Sequence, residues 1–202
     1  MNLINMRHKA HLFLVLISTV LISACANNQK GEQTEQALPQ SLESSQLAQK
    51  FKQGVELVEQ SRFDEAKIIL DKLHQTHPQI LGPMLNLGHI SIKQQDFEAG
   101  KAYYLKSLQL KPKHIGALIS LAYIAREEGR FDEAENYYRQ VFEIEPNNLM
   151  ALKNLGILLD LYRGRLRDAL VLYEQYQLLQ KQPDTQIKDW IFDIKSRIEV
   201  ES

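Results

Sequence analysis

The chain has 202 residues and a single cysteine, Cys25, which excludes an intramolecular disulfide. The fold therefore has to be stable without one. It also has no excess of charge of either sign, because a formal net charge of −1 gives no global attraction to nucleic acid or to an acidic surface. The apolar run from Leu12 to Ile22 is shorter than the roughly 20 residues that a membrane-spanning helix needs.

Motifs of common catalytic sites are missing as well. The sequence contains no GxSxG, no phosphate-binding P-loop and no HExxH. His74 and His77 lie three residues apart, as a pair of metal ligands would, but no third ligand is near in sequence. We therefore predict a protein that is not an enzyme and that holds no metal and no cofactor.

The N-terminus has the pattern of a secretory signal peptide, in which Arg7 and Lys9 precede the apolar run and small residues follow it. The run ends in the sequence Ile22-Ser23-Ala24-Cys25, which resembles the lipobox of bacterial lipoproteins. This resemblance implies that residues 1–24 are a lipoprotein signal peptide and that Cys25 is lipidated. Two or more acyl chains would anchor the protein stably to a membrane. An ordinary signal peptide with an incidental cysteine and a plain transmembrane anchor remain alternatives.

The residue after the cysteine is Ala26, not the Asp that retains lipoproteins at the inner membrane in the familiar enterobacterial sorting pattern. We therefore expect the outer membrane, on its periplasmic face. The segment that follows is polar, rich in Gln, Asn, Ser and Glu, and contains Pro39. It cannot bury enough apolar surface to fold. Residues 25–43 are accordingly predicted to be the lipidated cysteine and a flexible tether.

Beyond the tether, the sequence repeats with a period of 34 residues. Prolines recur at 78, 112 and 146, and phenylalanines recur at 63, 97 and 131. Within each period, apolar residues are spaced as on two short amphipathic helices, and the first helix has a small residue at a fixed place. These small residues are Gly54, Gly88, Ala122 and Gly156. Neither helix of a pair can bury its apolar stripe alone, so neighbouring pairs are expected to stack.

A 34-residue period of helix pairs resembles the tetratricopeptide repeat (TPR) family from about Leu47 to Pro183. The matching text includes NLG at Asn86–Gly88 and again at Asn154–Gly156, and GRFDEAENYY at Gly129–Tyr138. The resemblance implies an all-α solenoid of about four repeats in residues 44–183. The expected repeats are 47–80, 81–114, 115–148 and 149–183, followed by a capping helix in 184–202. An ordinary helical bundle that happens to repeat is the alternative.

The fourth repeat departs from the pattern. Ten residues separate Gly156 from Leu166, where the other repeats use nine. Either its first helix is longer or its turn bulges. After Pro183, Asp184 and Thr185 offer an N-cap for a last helix whose apolar stripe includes Trp190. We expect this helix to cover the last hairpin, as the ends of solenoids require.

In TPR proteins the first helices line a concave groove that binds extended peptides or partner helices. The resemblance places the partner-binding residues there. They are Phe51, Asn86, His89, Lys93, Tyr123, Arg126, Lys153 and Asn154. Asn86 and Asn154 can hydrogen-bond a peptide backbone or join neighbouring helices. Tyr123 and Phe51 are either aromatic anchors or core residues.

Two further features bear on the partner. One TPR subclass binds C-terminal carboxylates with a clamp of Lys, Asn and Arg, and here Phe51 and Val55 occupy the positions of its first Lys and Asn. The clamp is absent, so that ligand is not expected. A basic cluster at the irregular turn, Arg163, Arg165 and Arg167, would contact an acidic partner or lipid headgroups, or form a solvated loop.

Together these patterns predict a non-enzymatic outer-membrane lipoprotein whose groove binds a protein or peptide partner as an assembly factor for an envelope machine. A type IV pilus or secretion-type complex leads slightly. The alternatives are scaffolds for outer-membrane protein insertion, cell-wall enzymes or an energised transport complex. A self-assembling structural protein and a cell-wall hydrolase, which needs convergent catalytic groups, are less favoured. The membrane is contacted through the N-terminal lipid, and no nucleic acid is expected.

Overall fold

A computed structural model describes the backbone of residues 40–200 and the side chains of residues 44–200. Within this range the chain is all helical and contains no strand. The helices are α1 (Gln40–Glu59), α2 (Phe63–Thr76), α3 (Leu81–Lys93), α4 (Phe97–Leu110), α5 (Ile115–Glu127), α6 (Phe131–Ile144), α7 (Leu149–Ile157), α8 (Leu166–Leu179) and α9 (Thr185–Val200), and a π-helical turn (Leu158–Tyr162) extends α7.

Each helix packs against the next one along the chain, and α1 also contacts α3. The helices thus form four hairpins in sequence, α1–α2, α3–α4, α5–α6 and α7–α8, with α9 packed on the last. The predicted all-α solenoid of helix pairs is confirmed. The predicted signal peptide, the lipidation of Cys25 and most of the tether lie outside the described residues. The tether prediction was wrong at its end, because α1 already begins at Gln40.

A close approach between the two helices of each hairpin explains the periodic small residues. A Cβ added at Gly54 would lie 2.9 Å from Leu70 Cδ2, and one at Gly88 would lie 2.9 Å from the Tyr104 ring. A Cβ at Gly156 would overlap the Tyr173 ring. Leu70 and Tyr104 are 34 residues apart, as Gly54 and Gly88 are, while Tyr173 lies one residue later than this period because of the extra residue in the fourth repeat. A large side chain of the second helix therefore covers the small residue of the first helix.

The turn between the paired helices contains one residue with a left-handed backbone in every repeat. These residues are Ser61, Gln95, Gly129 and Gly164, with φ of 58°, 63°, 74° and 63°. The conformation closes the first helix, and the amide of Arg130, for example, then bonds back to the carbonyl oxygen of Ala125 at 2.7 Å. Glycine adopts it without strain, whereas a residue with a Cβ is disfavoured there.

The extra residue of the fourth repeat is absorbed inside its first helix. The π-helical turn Leu158–Tyr162 adds the residue, and the left-handed position follows at Gly164. The closing bond spans one residue more than in the third repeat, from the amide of Arg165 to the carbonyl oxygen of Leu159 at 2.8 Å. Of the two alternatives, the structure therefore shows the longer first helix.

The last helix covers the final hairpin. Ile187 and Ile194 of α9 are fully buried, and the Trp190 ring lies 5.5 Å from the Tyr173 ring between centroids. Asp184 supplies the N-cap, since its Oδ1 accepts a hydrogen bond from the amide of Ile187 at 3.3 Å. The expected packing role of Trp190 is thus what the structure shows.

The left-handed turn positions predict a stabilising substitution. Gln95→Gly should raise the free energy of unfolding by about 1 kcal/mol, because glycine has no Cβ and adopts the left-handed backbone of this position without strain. Urea unfolding followed by circular dichroism measures the change. Gln95→Ala is the control and should give no gain, because alanine keeps the Cβ. Equal stability of the wild type and Gln95→Gly would contradict this explanation.

The close approach of the paired helices predicts a destabilising substitution. Gly156→Ala should lower the free energy of unfolding by about 1–3 kcal/mol, because the new methyl group overlaps the buried Tyr173 ring. Gly116→Ala is a matched control in α5, where the nearest atom to the new Cβ is the tip of the His114 side chain at 3.3 Å. The control should be neutral or stabilising. Similar effects of the two changes in thermal unfolding would argue against the close contact.

Candidate partner-binding surface

The predicted groove residues on the first helices differ in burial. His89 and Lys93 on α3 are exposed, whereas the other predicted groove residues are half-buried. Loss of hydration against the protein lowers the pKa of His89, and the positive charge of Lys93 lowers it further. Lys93 forms no ion pair with any residue that the structure describes. This part of α3 is therefore a positively charged spot without a compensating acid.

Two of the predicted side chains are used inside the array. The Asn86 amide nitrogen donates a hydrogen bond to the Gly82 carbonyl oxygen of its own helix at 2.9 Å. Of the two roles predicted for Asn86, joining neighbouring helices was therefore wrong, because its side chain bonds to a carbonyl one turn back in its own helix. Phe51 packs its ring over Gly82, where an added Cβ would lie 2.5 Å from Phe51 Cζ. Phe51 thus joins α1 to α3, which favours its interpretation as a core residue.

Tyr123 and Arg126 on α5 form the centre of a run of stacked groups. The Tyr123 ring meets the Phe97 ring edge-on, with centroids 6.4 Å apart. Arg126 Cζ lies 5.1 Å from the Tyr123 centroid and 5.8 Å from the Tyr162 centroid. The Tyr162 ring in turn lies 5.2 Å from the Phe131 ring. Aromatic faces attract a guanidinium at such distances, so Arg126 is held by rings from two repeats.

Arg126 lies in a region where some polar groups lack a hydrogen-bond partner. Its Nη2 donates to Glu127 Oε1 at 2.7 Å, and 14% of its side chain is exposed. Its Nε is buried without a hydrogen-bond partner, and so is the hydroxyl of Tyr138. Burial raises the pKa of Tyr138 to about 12, and the positive charge of Arg126 opposes that rise. Two buried donors in the same region thus lack an acceptor.

Sequence reasoning did not select Tyr162 as a site residue. Its position depends on the π-helical turn, and the only signal in the sequence was the extra residue between Gly156 and Leu166. Because the turn belongs to the fourth repeat alone, no other repeat offers a counterpart by which to recognise it. Tyr162 remains 45% exposed while its ring contacts Arg126 and Phe131.

Matches to known proteins agree with this arrangement of helices. The family described as tetratricopeptide repeat matches residues 83–114 and 115–148, which correspond to α3–α4 and α5–α6. Residues 83–148 thus contain two tetratricopeptide repeats. TPR domains typically bind protein partners, so the fold indicates a scaffold for protein–protein interaction. A search among curated proteins finds no match.

Several solved structures share the TPR fold. MamA AMB-1 is 18% identical, with a TM-score of 0.62 over 77% of this chain and 84% of the other. The pilF protein of Pseudomonas aeruginosa is 17% identical, with a TM-score of 0.68 over 78% and 72%. A thermophilic TPR protein of Thermus thermophilus is 15% identical, with a TM-score of 0.61 over 75% and 82%. At these identities the likeness establishes the fold alone.

The C-terminal cap of the TPR array takes up another predicted groove residue. Lys153 Nζ lies 3.4 Å from Asp184 Oδ2 and within 6 Å of the Tyr176 and Trp190 ring centroids. Asp160 in the π-helical turn is buried and accepts a hydrogen bond from Arg197 of α9 at 2.8 Å. Lys153 thus holds the cap in place. Asn154 stays half-buried, and its role towards a partner stays a prediction.

The basic cluster at the irregular TPR turn is largely paired within the array. Arg163 pairs with Asp132 at 2.7 Å, and Arg165 donates to both carboxylate oxygens of Glu135 at 2.9 and 3.0 Å. Arg167 is exposed. The first two arginines therefore fasten the turn to α6, which helps to position Tyr162.

The remaining candidates provide no site. His74 Nε2 lies 3.1 Å from Lys106 Nζ, and His77 Nδ1 lies 2.8 Å from Thr76 Oγ1, so the two imidazoles face different neighbours. Among residues 44–200, no three His, Cys, Asp or Glu side chains are grouped to hold a metal ion. None of the helices in the described range is long and apolar enough to cross a membrane.

The fastening of the turn predicts a pH-dependent loss of stability. Burial would raise the pKa of Glu135, but hydrogen bonds from Arg139 and Arg165 outweigh it and hold the pKa below its ordinary value of 4.5. A carboxylate with a depressed folded-state pKa stabilises the fold above its unfolded-state pKa and loses that contribution as the pH falls through the folded-state value. Glu135→Gln should therefore lower the free energy of unfolding at pH 7 by about 1–2 kcal/mol.

Urea unfolding across the acid range measures this effect. The difference between wild type and Glu135→Gln should shrink as the pH falls below about 4.5, where the unfolded carboxylate titrates. Glu143→Gln on the same helix is the control, because Glu143 is exposed and forms no ion pair with a described residue. A pH-independent difference, or an equal loss in the control, would show that the contacts of Glu135 with Arg139 and Arg165 are not stabilising.

Proposed function

We propose that the protein is a non-enzymatic lipoprotein of the outer membrane, facing the periplasm, whose TPR surface binds a protein partner during assembly of an envelope machine. Three sequence features support the location: the Ile22-Ser23-Ala24-Cys25 lipobox pattern, the signal-like segment before it and Ala26 after it. The lipid on Cys25 would anchor the protein, and the polar residues that follow would separate the array from the membrane.

The observation that carries the binding role is the chemistry left on the first helices. His89 and Lys93 are exposed on α3, and Tyr123 and Arg126 on α5 are half-buried around two donors without acceptors. Core packing does not need charged groups at these places, since the apolar stripes of the same helices already fill the hairpins. Groups that are preorganised but incompletely satisfied are those that a partner can complete.

The identity of the machine is the finer part of the proposal. We favour a type IV pilus or secretion-type complex over outer-membrane protein insertion, cell-wall synthesis or energised transport, because lipidated TPR arrays are common in the former setting. Likeness to pilF of Pseudomonas aeruginosa shows a shared fold and supplies no ligand. The proposed partner surface comprises the predicted groove residues that remain accessible, His89, Lys93, Tyr123, Arg126 and Asn154.

Two measurements test the proposal, one for the location and one for the binding surface. Metabolic labelling with palmitate and membrane fractionation should place the wild-type chain in the outer-membrane fraction as a lipidated protein. Cys25→Ser should lose the label and leave that fraction. Membrane association and gel mobility that are unchanged in Cys25→Ser would sink the lipoprotein assignment.

For the surface, a photocrosslinking amino acid replaces His89 on α3 in living cells. It should capture an envelope protein, which mass spectrometry then identifies. The same residue placed at the exposed Lys67 on α2 is the matched control and should capture nothing comparable. Capture of a pilus or secretion protein supports the favoured machine. Capture only of a second copy of the chain would replace the scaffold with self-assembly, and equal capture at both sites would reject the first-helix surface.

A further inference from the structure

We call five residues near the turns between the paired helices of three successive repeats the basic–aromatic strip: Lys93, Phe97, Tyr123, Arg126 and Tyr162. Phe97 begins α4 four residues after Lys93, and its ring meets Tyr123 with centroids 6.4 Å apart. Arg126 then contacts both Tyr123 and Tyr162. The strip therefore runs across the second, third and fourth repeats, near the turns that join the first helix of each pair to the second.

The guanidinium of Arg126 is preorganised for an anion. The rings of Tyr123 and Tyr162 hold it, which restricts the plane of its donors. Within the protein its hydrogen-bonding side chain is Glu127, while Nε has no acceptor. A buried N–H without an acceptor is unfavourable, and the Tyr138 hydroxyl nearby has the same deficit. A carboxylate is an acceptor that suits the guanidinium, whereas the Tyr138 side chain is fully buried and lies beyond a partner's reach.

The charges around the strip also favour an acidic ligand. Lys93 and the adjacent His89 have no acid paired with them among the described residues. The two acids on the first helices of the third and fourth repeats are both already paired, Glu127 with Arg126 and Asp160 with Arg197. The strip thus presents two cations, Lys93 and Arg126, while the nearby carboxylates are engaged within the protein, Glu127 by Arg126 and Asp96 by the amide of Ala99.

We propose that the basic–aromatic strip binds an acidic segment of a partner protein. One carboxylate of the segment pairs with the exposed part of the Arg126 guanidinium, a second approaches Lys93, and apolar side chains between them lie on Tyr123 and Tyr162. This inference rests on the proposed function, since it specifies the partner of the same TPR surface. A polyanion such as nucleic acid fits less well, because its affinity needs many phosphate contacts and the strip offers two cations.

The test starts from peptides, because the natural partner is unidentified. A displayed library of random dodecapeptides is selected on the mature chain, residues 25–202, held in detergent through its lipid. Selected peptides should contain more Asp and Glu than the unselected library, with apolar residues between the acids. Affinities of synthetic copies should fall as salt is added, since the attraction is partly between exposed charges.

Variants then assign the binding to the strip. Arg126→Gln should lower the affinity for an acidic peptide by about tenfold or more. Arg126→Lys should also lower it, because an ammonium keeps the charge but lacks the planar set of N–H donors of a guanidinium. Lys93→Gln should weaken it by about threefold. Lys67→Gln on α2 is the matched control, another exposed lysine without an ion pair, and should leave affinity unchanged.

Folding is checked by circular dichroism. If Arg126→Gln is not folded, the affinities of Lys93→Gln and Tyr162→Leu for the acidic peptide decide instead, and both should be lower than that of the wild type. Both side chains are exposed at the surface, so these variants should fold. Peptides without acidic enrichment, an empty selection, or acidic peptides that bind the folded strip variants as well as the wild type would each overturn the inference. Crosslinking through His89 separates this failure from that of the proposed function. A captured envelope partner without acidic peptides rejects the strip alone, whereas no captured partner rejects the function itself.

Discussion

The fold depends on a contact, seen in the first, second and fourth hairpins, between a glycine on the first helix and a large side chain on the second. Gly54, Gly88 and Gly156 leave no space for a Cβ beneath Leu70, Tyr104 and Tyr173. This contact sets how closely the two helices approach, and the apolar stripes beside it then meet and are buried. Because each hairpin still leaves apolar surface uncovered, the next hairpin, and finally α9, has to pack on it.

The same contact explains the irregular fourth repeat. Gly156 and Tyr173 have to meet there as their counterparts do elsewhere, although the chain between them is one residue longer. The extra residue enters after Gly156 as a π-helical turn, so the contact is kept and the end of the helix is changed. Tyr162 is thereby brought against Arg126 and Phe131, while Asp160 meets Arg197 of the cap. An insertion that leaves the core intact has thus altered the surface.

Sequence periodicity predicted the helix pairs and the cap, because both follow from apolar spacing and turn residues that repeat. Side-chain partners were less predictable. Lys153 was projected into the groove, yet it lies against Asp184 and Trp190, since the position of α9 is set by tertiary packing and not by the period. Asn86 bonds to its own helix at Gly82, an option that its place in the repeat did not distinguish. The position of Tyr162 could not be predicted from the period, because only the fourth repeat contains the π-helical turn.

Packing and binding make opposite demands on the first helices. One face has to be apolar and complete, and Leu118, Leu121 and Ala122 of α5 are accordingly almost inaccessible to solvent. The neighbouring face has no such requirement, and there α5 presents Tyr123 and Arg126. Satisfying the Arg126 Nε and the Tyr138 hydroxyl internally would require one more acceptor, which the described chain does not place there. Leaving these donors without an acceptor costs some stability.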